Sequence, residues 1–159
     1  MQIIKDGKIV QDDWRHIADD ESLPTGRFTV SFARWQAEGD ILKSAGGEIG
    51  LRIRGEDAVE TIAGDLNHFT LICIDFPTMA DGRGFSLARL LRERYGFHEE
   101  IRARGDFIRD QMFFLSRVGV NAFECPPEQS LEALLPALQE FTVKYQAAVD
   151  EKEPLYRRR

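Results

Sequence analysis

Apolar runs separated by polar turns recur at a regular spacing along this chain and predict alternating strands and helices. Five strands are predicted, at residues 28–32, 49–53, 69–76, 101–104 and 120–125. The third of these is apolar without clean alternation, which is typical of a strand covered on both faces. Between the strands, the pattern predicts helices at residues 37–45, 55–66, 85–95 and 107–118.

A longer amphipathic helix is predicted near the C-terminus. Apolar side chains step there at threes and fours through Leu131, Leu134, Leu135, Leu138, Phe141 and Tyr145. This stripe fits two arrangements equally well: it could pack on the sheet, or it could form the face of a homodimer.

Strands alternating with helices at this spacing are typical of parallel βαβ units with right-handed crossovers. The predicted fold is therefore α/β, with a mostly parallel sheet of about five strands. Either an open doubly wound sheet or a partial barrel satisfies the pattern. A closed eight-unit barrel needs about 250 residues, and this chain has 159.

The whole chain, residues 1–159, is predicted to be one domain, because no linker or low-complexity segment divides it. Residues 1–26 are interpreted as an N-terminal hairpin and loop extension, with the Asp6–Gly7 pair as its turn signal. Residues 150–159 are predicted to be a frayed, charged tail.

Composition narrows the function classes. No apolar run is long enough to span a bilayer, and the first residues lack the apolar core of a secretory signal. We therefore expect a cytoplasmic protein without a membrane partner. The net charge of −6 also argues against nucleic acid as a partner.

One segment reverses this negative charge. Residues 81–111 contain seven arginines, namely Arg83, Arg89, Arg92, Arg94, Arg102, Arg104 and Arg109. Such a concentration of positive charge favours a small anion or an acidic protein as a partner.

Ligands of parallel sheets bind beyond the carboxyl ends of the strands. Arg83, Gly84 and Ser86 follow the third predicted strand and open a helix, where glycine and free amides could hold an anion. Arg104 ends the fourth strand and could add a bidentate contact. The alternative is a simple strand-to-helix turn, with Arg83 in solvent and Asp81 or Ser86 as the helix cap.

Two carboxylates are candidate catalytic groups at the same edge. Asp75 ends the third strand, and Asp110 lies in the first turns of the helix after the fourth. An aspartate held beside an anion site could act as a general base, although a structural ion pair would explain either residue. The enzyme hypothesis expects Asp75, Arg83, Arg104 and Asp110 to converge.

No cofactor or metal motif is evident. Cys73 and Cys125 show no CxxC spacing, and an ordinary iron–sulfur cluster needs four thiolates. Cys73 is expected in the core and Cys125 nearer the surface, with a redox role for Cys125 left open. The three histidines, His16, His68 and His98, show no metal-ligand spacing.

One family resemblance covers essentially the whole chain. It is carried by the pairs FP (76–77), LR (91–92), YG (95–96), GD (105–106), DQ (110–111) and VG (118–119), and by DGRGFSLAR (81–89), EIRA (100–103) and AFE (122–124). On these residues the chain resembles the bacterial family of unknown function numbered 934. The resemblance implies a cytoplasmic protein linked to assimilatory sulfite reduction, because members are described as oxidoreductases of that pathway. It brings no established catalytic residues.

Two functional hypotheses follow. Sulfite reduction delivers six electrons through sirohaem and an iron–sulfur cluster, and this chain has no electron-carrying motif. The first hypothesis is therefore an accessory protein that binds sulfite reductase components, another acidic protein, or a sulfur oxyanion. The second is a small-molecule enzyme that binds an anionic substrate at the carboxyl ends of the strands.

Overall fold

The predicted strands meet in one mixed sheet. The computed structural model describes residues 1–77, 82–105 and 109–139. Within them the strands are β1 Gln2–Lys5, β2 Lys8–Gln11, β3 Arg15–His16, β4 Phe28–Ser31, β5 Ile49–Arg54, β6 Phe69–Phe76, β7 Glu100–Gly105 and β8 Ala122–Glu124. The α-helices are α1 Phe32–Ser44, α2 Arg83–Glu93, α3 Arg109–Arg117 and α4 Leu131–Leu134. Two 3₁₀ helices span Val59–His68 and Leu135–Gln139.

Strands β4 to β8 correspond to the five predicted strands, and all are parallel. They stand in the sheet in chain order, so each new strand is added on the same side. Right-handed crossovers then place every connecting helix on one face. A doubly wound sheet would need a reversal of direction, so the partial-barrel alternative is the correct one.

The expected number of about five strands is wrong, because the described residues form a sheet of eight. The Asp6–Gly7 hairpin turn is confirmed, with φ of 52° and 76° as a type I′ turn requires. However, the hairpin is part of the sheet, since β1 pairs antiparallel with β8. Strand β3 adds to the other edge beside β4 and is too short to show a hydrophobic period.

The predicted long C-terminal helix is also wrong. Helix α4 ends at Leu134 and is followed by a 3₁₀ helix. Pro136 explains this break, because proline has no N–H for a helical hydrogen bond and its ring clashes with the preceding turn. The end of the predicted apolar stripe and the tail at 150–159 lie outside the described residues.

The helix-facing side of the sheet forms the apolar core. Alternate residues such as Leu51, Ile53, Ile72 and Ile101 are fully or nearly fully buried there. Trp35 of α1 packs edge-on against Phe69, with ring centroids 4.6 Å apart. Within the described residues, no helix has both the length and the apolarity needed to cross a membrane.

The sheet is strongly curled, which brings its two edges together. Strands β2 and β3 stand at opposite edges, yet only three residues connect them. A flat sheet would separate these edges by roughly 34 Å, whereas the connection reaches about 14 Å. His16 of β3 also bonds Glu124 of β8 at 2.9 Å, five strand positions away. The face opposite the helices is therefore the inside of a half-barrel.

Candidate functional site at the carboxyl ends of the strands

The inner face of the half-barrel is lined by polar side chains. Successive side chains of a strand point to opposite faces of the sheet. The inner face receives most of the polar side chains, although the apolar Leu71 and Cys73 of β6 also lie there. The four buried polar or charged residues of the described chain, Thr29, Glu100, Arg102 and Glu124, belong to this inner set. The interior is thus a polar chamber, and buried charges there must be paired.

Arg102 is the centre of a buried ion network. Its side chain is 1% exposed and donates to Glu100 Oε2, to both oxygens of Asp12 and to Glu124 Oε2, at 2.8–3.1 Å. Burial alone would lower the pKa of Arg102, but the bonds and charges of Asp12 and Glu100 raise it. Lys5 adds a second cation, with its Nζ 3.0 Å from Glu100 Oε1.

Glu124 connects this network to the opposite edge of the sheet. His16 Nε2 donates to its carboxylate, while His16 Nδ1 lies 2.7 Å from Thr29 Oγ1. In the neutral ring, Nδ1 accepts from the Thr29 hydroxyl. Burial alone would raise the pKa of Glu124, but His16 and then Arg102 outweigh it and lower that pKa to about 2. Glu124 is therefore a fixed anion at neutral pH.

Four charged residues form a row across the carboxyl ends of β5 to β8. Arg54, Asp75, Arg104 and Glu124 are successive cross-strand neighbours, so the charges alternate along the row. Arg104 Nη1 lies 3.2 Å from Asp75 Oδ1, and Arg104 Nε lies 3.4 Å from Glu124 Oε1. Within the described residues, the Arg54 guanidinium forms no salt bridge.

A cleft of about 680 Å³ opens above this row. Its lining consists of Arg54, Asp75, Phe76, Pro77, Arg104, Gly105, Glu124, Pro126 and Glu128. It occupies the position beyond the strand ends where parallel sheets bind ligands. We refer to it as the carboxyl-end cleft.

The structure brings together two of the four residues on which the enzyme hypothesis depends. Asp75 and Arg104 form an ion pair inside the cleft. Arg83 instead pairs with Glu56, its Nη2 being 3.8 Å from Glu56 Oε2. Asp110 is exposed in the first turn of α3. Neither Arg83 nor Asp110 is among the residues that line the cleft.

The predicted anion loop has a packing role at Gly84. A Cβ there would lie 2.4 Å from Cε1 of Phe76, so α2 can approach β6 only through a glycine. Ser86 is exposed and does not cap α2, whose N-cap is Gly82 without a side-chain hydrogen bond. Asp81, the other cap considered, lies outside the described residues.

Sequence reasoning missed Arg54 and the buried network. Arg54 falls one residue beyond the predicted strand, although Gly50, Arg52 and Arg54 already show the two-residue period of one strand face. Arg102 was counted only as one of the seven arginines of residues 81–111 that favour an anionic partner. The two-residue spacing of Arg102 and Arg104 was the available signal that both lie on one face of a strand. The bond of Arg102 to Asp12 could not be predicted, because Asp12 is 90 residues away in the sequence.

Both cysteines are buried. Cys73 is fully enclosed on the inner face, and burial raises the pKa of its thiol well above the ordinary range. Cys125, expected nearer the surface, is 6% exposed, and burial followed by the charge of Glu124 raises its pKa to about 11. Neither thiol is primed as a thiolate at neutral pH. Across the described ranges, no group of three or more His, Cys, Asp or Glu side chains is placed to hold a metal ion.

Comparison with known proteins identifies the family. Neither the curated proteins nor the solved structures include a match to this chain. A family model described as "Bacterial protein of unknown function (DUF934)" matches residues 50–156, well over half of the chain and all four residues of the charged row. The chain therefore belongs to the bacterial family DUF934.

Proposed function

We propose that this protein is an accessory component of bacterial assimilatory sulfite reduction and binds a small oxyanion in the carboxyl-end cleft. The observation that carries the binding proposal is Arg54, a cleft-lining guanidinium without a salt bridge in the described chain. Guanidinium groups bind oxyanions through paired hydrogen bonds. The pathway is supported by the family resemblance described above.

Arg104 would support Arg54 as a second contact. Its side chain is 37% exposed, and its ion pairs with Asp75 and Glu124 use Nη1 and Nε. The Nη2 group is then the part of Arg104 available to an incoming oxyanion. Arg54 and Arg104 lie two strand positions apart in the sheet, a separation of about 10 Å. Only a small molecule would contact both arginines, so binding would be selective for small molecules.

An accessory role fits the chemistry of the chain better than electron transfer by the chain itself. Two cysteines cannot supply the four thiolates of an ordinary iron–sulfur cluster, and burial raises the pKa of both. Docking to sulfite reductase components, or to another acidic protein, would use the exposed arginines of α2 and its C-cap, namely Arg83, Arg89 and Arg94.

Titration calorimetry with sulfite, sulfate and phosphate tests the binding proposal. We expect the Arg54→Gln variant to bind at least about tenfold more weakly, the loss expected for one charge-assisted contact. The Arg89→Gln variant, altered on the exposed side of α2, is the matched control and should bind normally. Absence of binding by the unaltered protein, or equal binding by Arg54→Gln, would contradict the proposal.

Affinity purification tests the proposed partner. A tagged copy from sulfate-grown cells should recover sulfite reductase components, and replacement of Arg83, Arg89 and Arg94 by serine should reduce that recovery. Failure of the unaltered protein to recover any component would count against the pathway assignment.

A small-molecule enzyme is the second candidate, and the Asp75–Arg104 pair inside the cleft favours it. Asp75 would be the acid or base, whereas Glu124, with its pKa near 2, is too weak a base at neutral pH. Turnover of a bound anion, followed by NMR and lost in Asp75→Asn, would support this candidate. Binding without turnover would leave the accessory role.

A further inference from the structure

The lining of the carboxyl-end cleft carries charges of both signs. Arg54 and Arg104 contribute two positive charges, and Asp75, Glu124 and Glu128 contribute three negative charges. A site built only for an anion would not place carboxylates directly beside its arginines. The charges of the lining therefore indicate that the ligand carries another group besides its negative one.

The charges of the cleft differ in how well they are compensated. Glu124 is held by His16 and Arg102, and Arg104 lies between Asp75 and Glu124. Arg54 and Glu128, in contrast, form no side-chain hydrogen bond or salt bridge within the described ranges. One cation and one anion of the lining are thus left to a ligand.

The Asp75 carboxylate adds to this imbalance of charge, because it forms an ion pair with only one of the two arginines beside it. Arg54 and Asp75 are direct cross-strand partners, yet Asp75 is paired with Arg104 through Oδ1 and not with Arg54. The second carboxylate oxygen, Oδ2, remains able to accept a hydrogen bond. A positive group beside Arg54 would therefore meet Asp75, in a cleft whose lining also carries the uncompensated carboxylate of Glu128.

We infer that the ligand is a small zwitterion, with an oxyanion group bound by Arg54 and an ammonium group bound by Asp75 and attracted by the negative charge of Glu128 in the same cleft. A purely anionic ligand would satisfy Arg54 but would add a negative charge to a cleft lined by three carboxylates, which is unfavourable in a partly enclosed site. A zwitterion satisfies both signs. Neighbouring strands are about 4.8 Å apart, so the two charges of the ligand should be separated by a similar distance. Aminosulfonates and short amino acids have this form.

This inference rests on the proposed function and specifies its ligand class. Two matched pairs of probes isolate the ammonium group: taurine against ethanesulfonate, and β-alanine against propionate. Within each pair the molecules differ only by that group. Titration calorimetry of the full-length protein should show at least about tenfold tighter binding of one amino compound than of its partner, the value of one good charge-assisted contact.

Single substitutions test which side chains produce the preference for the amino compound. Glu128→Gln alters an exposed loop residue and should leave the fold intact while removing much of the preference for the amino compound. Glu60→Gln, an exposed substitution outside the cleft lining, is the control and should keep the preference. Arg54→Gln should weaken the binding of both members of a pair.

The outcomes separate the two proposals. Equal or tighter binding of the anion that lacks the ammonium group overturns the zwitterion inference, as does a preference that survives both Glu128→Gln and Arg54→Gln. Binding of sulfite without binding of either amino compound also overturns it and leaves the oxyanion proposal standing. If none of these anions binds, both proposals fail.

Discussion

Arg102 shows how a single buried charge organises this protein. Three carboxylates surround it, and each comes from a different part of the chain: Asp12, Glu100 and Glu124. Desolvating so many charges is costly, and a buried ion network stabilises little beyond an apolar replacement. Its effect is to fix geometry, because removal of any one member leaves the others buried and unpaired.

Glu124 gives this network a measurable dependence on pH. Its pKa is about 2 in the folded protein against an ordinary 4.5, so it stabilises the fold above pH 4.5. That contribution is lost as pH falls from about 4.5 to about 2, and linkage makes it about 3 kcal/mol. The Glu124→Gln variant should therefore show a flatter decline of unfolding free energy across this window, measured by urea denaturation at successive pH values.

The exposed Glu128 provides the comparison for this experiment. Glu128→Gln should retain the decline of the unaltered protein between pH 4.5 and 2. If Glu124→Gln and the unaltered protein declined in parallel, the stabilising role of the Glu124 carboxylate would be refuted.

At the scale of elements, the five parallel strands could be predicted, but the places of the N-terminal strands in the sheet could not. Residues 69–76 were found with the bounds of β6, because an apolar run flanked by turns is a strong local signal. The Asp6–Gly7 hairpin turn could also be predicted, because its signal lies in two adjacent residues. The attachment of the hairpin to β8 could not, since the partners Ile4 and Phe123 are far apart in sequence.

Helices were less well determined by the sequence than strands. The segment predicted as a helix at 55–66 forms a 3₁₀ helix over Val59–His68, and tertiary packing decides between these two types. At the site, Asp75 and Arg104 could be placed from their positions at strand ends. Arg54 required the true end of β5, and element ends are the least predictable feature of a sequence.

The contact between α2 and β6 makes a direct prediction. Gly84→Ala should lower the free energy of unfolding by about 1–3 kcal/mol, the usual cost of overpacking a core, because the added methyl group would collide with the Phe76 ring. Chemical denaturation measures the change.

Gly82→Ala is the matched control for this substitution. A Cβ at Gly82 has no atom within 4 Å among the described residues, and the backbone φ of −78° suits alanine. Gly82→Ala should leave the free energy of unfolding unchanged or raise it by up to about 1 kcal/mol. Equal destabilisation by both substitutions would contradict the packing role of Gly84.

At the scale of the whole molecule, the closure of the half-barrel depends on polar contacts from its N-terminal segment. Asp12 is 4% exposed and holds Arg102 with both oxygens, whereas its neighbour Asp13 is 74% exposed and contacts Arg27 at the surface. Asp12→Ala leaves buried charge unpaired and should cost about 3 kcal/mol or more.

Hydrogen exchange should show which strands are destabilised by the Asp12→Ala substitution. In Asp12→Ala, amides of β1, β2 and β3 should exchange about 100-fold faster, which corresponds to about 3 kcal/mol. Asp13→Ala should leave their exchange unchanged. Uniformly faster exchange across β4 to β8 would contradict a local closing role for Asp12, since the loss would then be global.

The curl of the sheet also has a consequence for biosynthesis. His16 leaves the ribosome early, but its partner Glu124 is made 108 residues later, after a delay of about 5–20 s at ordinary rates of translation. During that interval β4 to β7 can assemble in chain order, each strand beside the one just made. The contacts that β1 and β3 make with β8 can therefore form only after this delay, whereas the pairing of β1 with β2 and of β3 with β4 can form earlier.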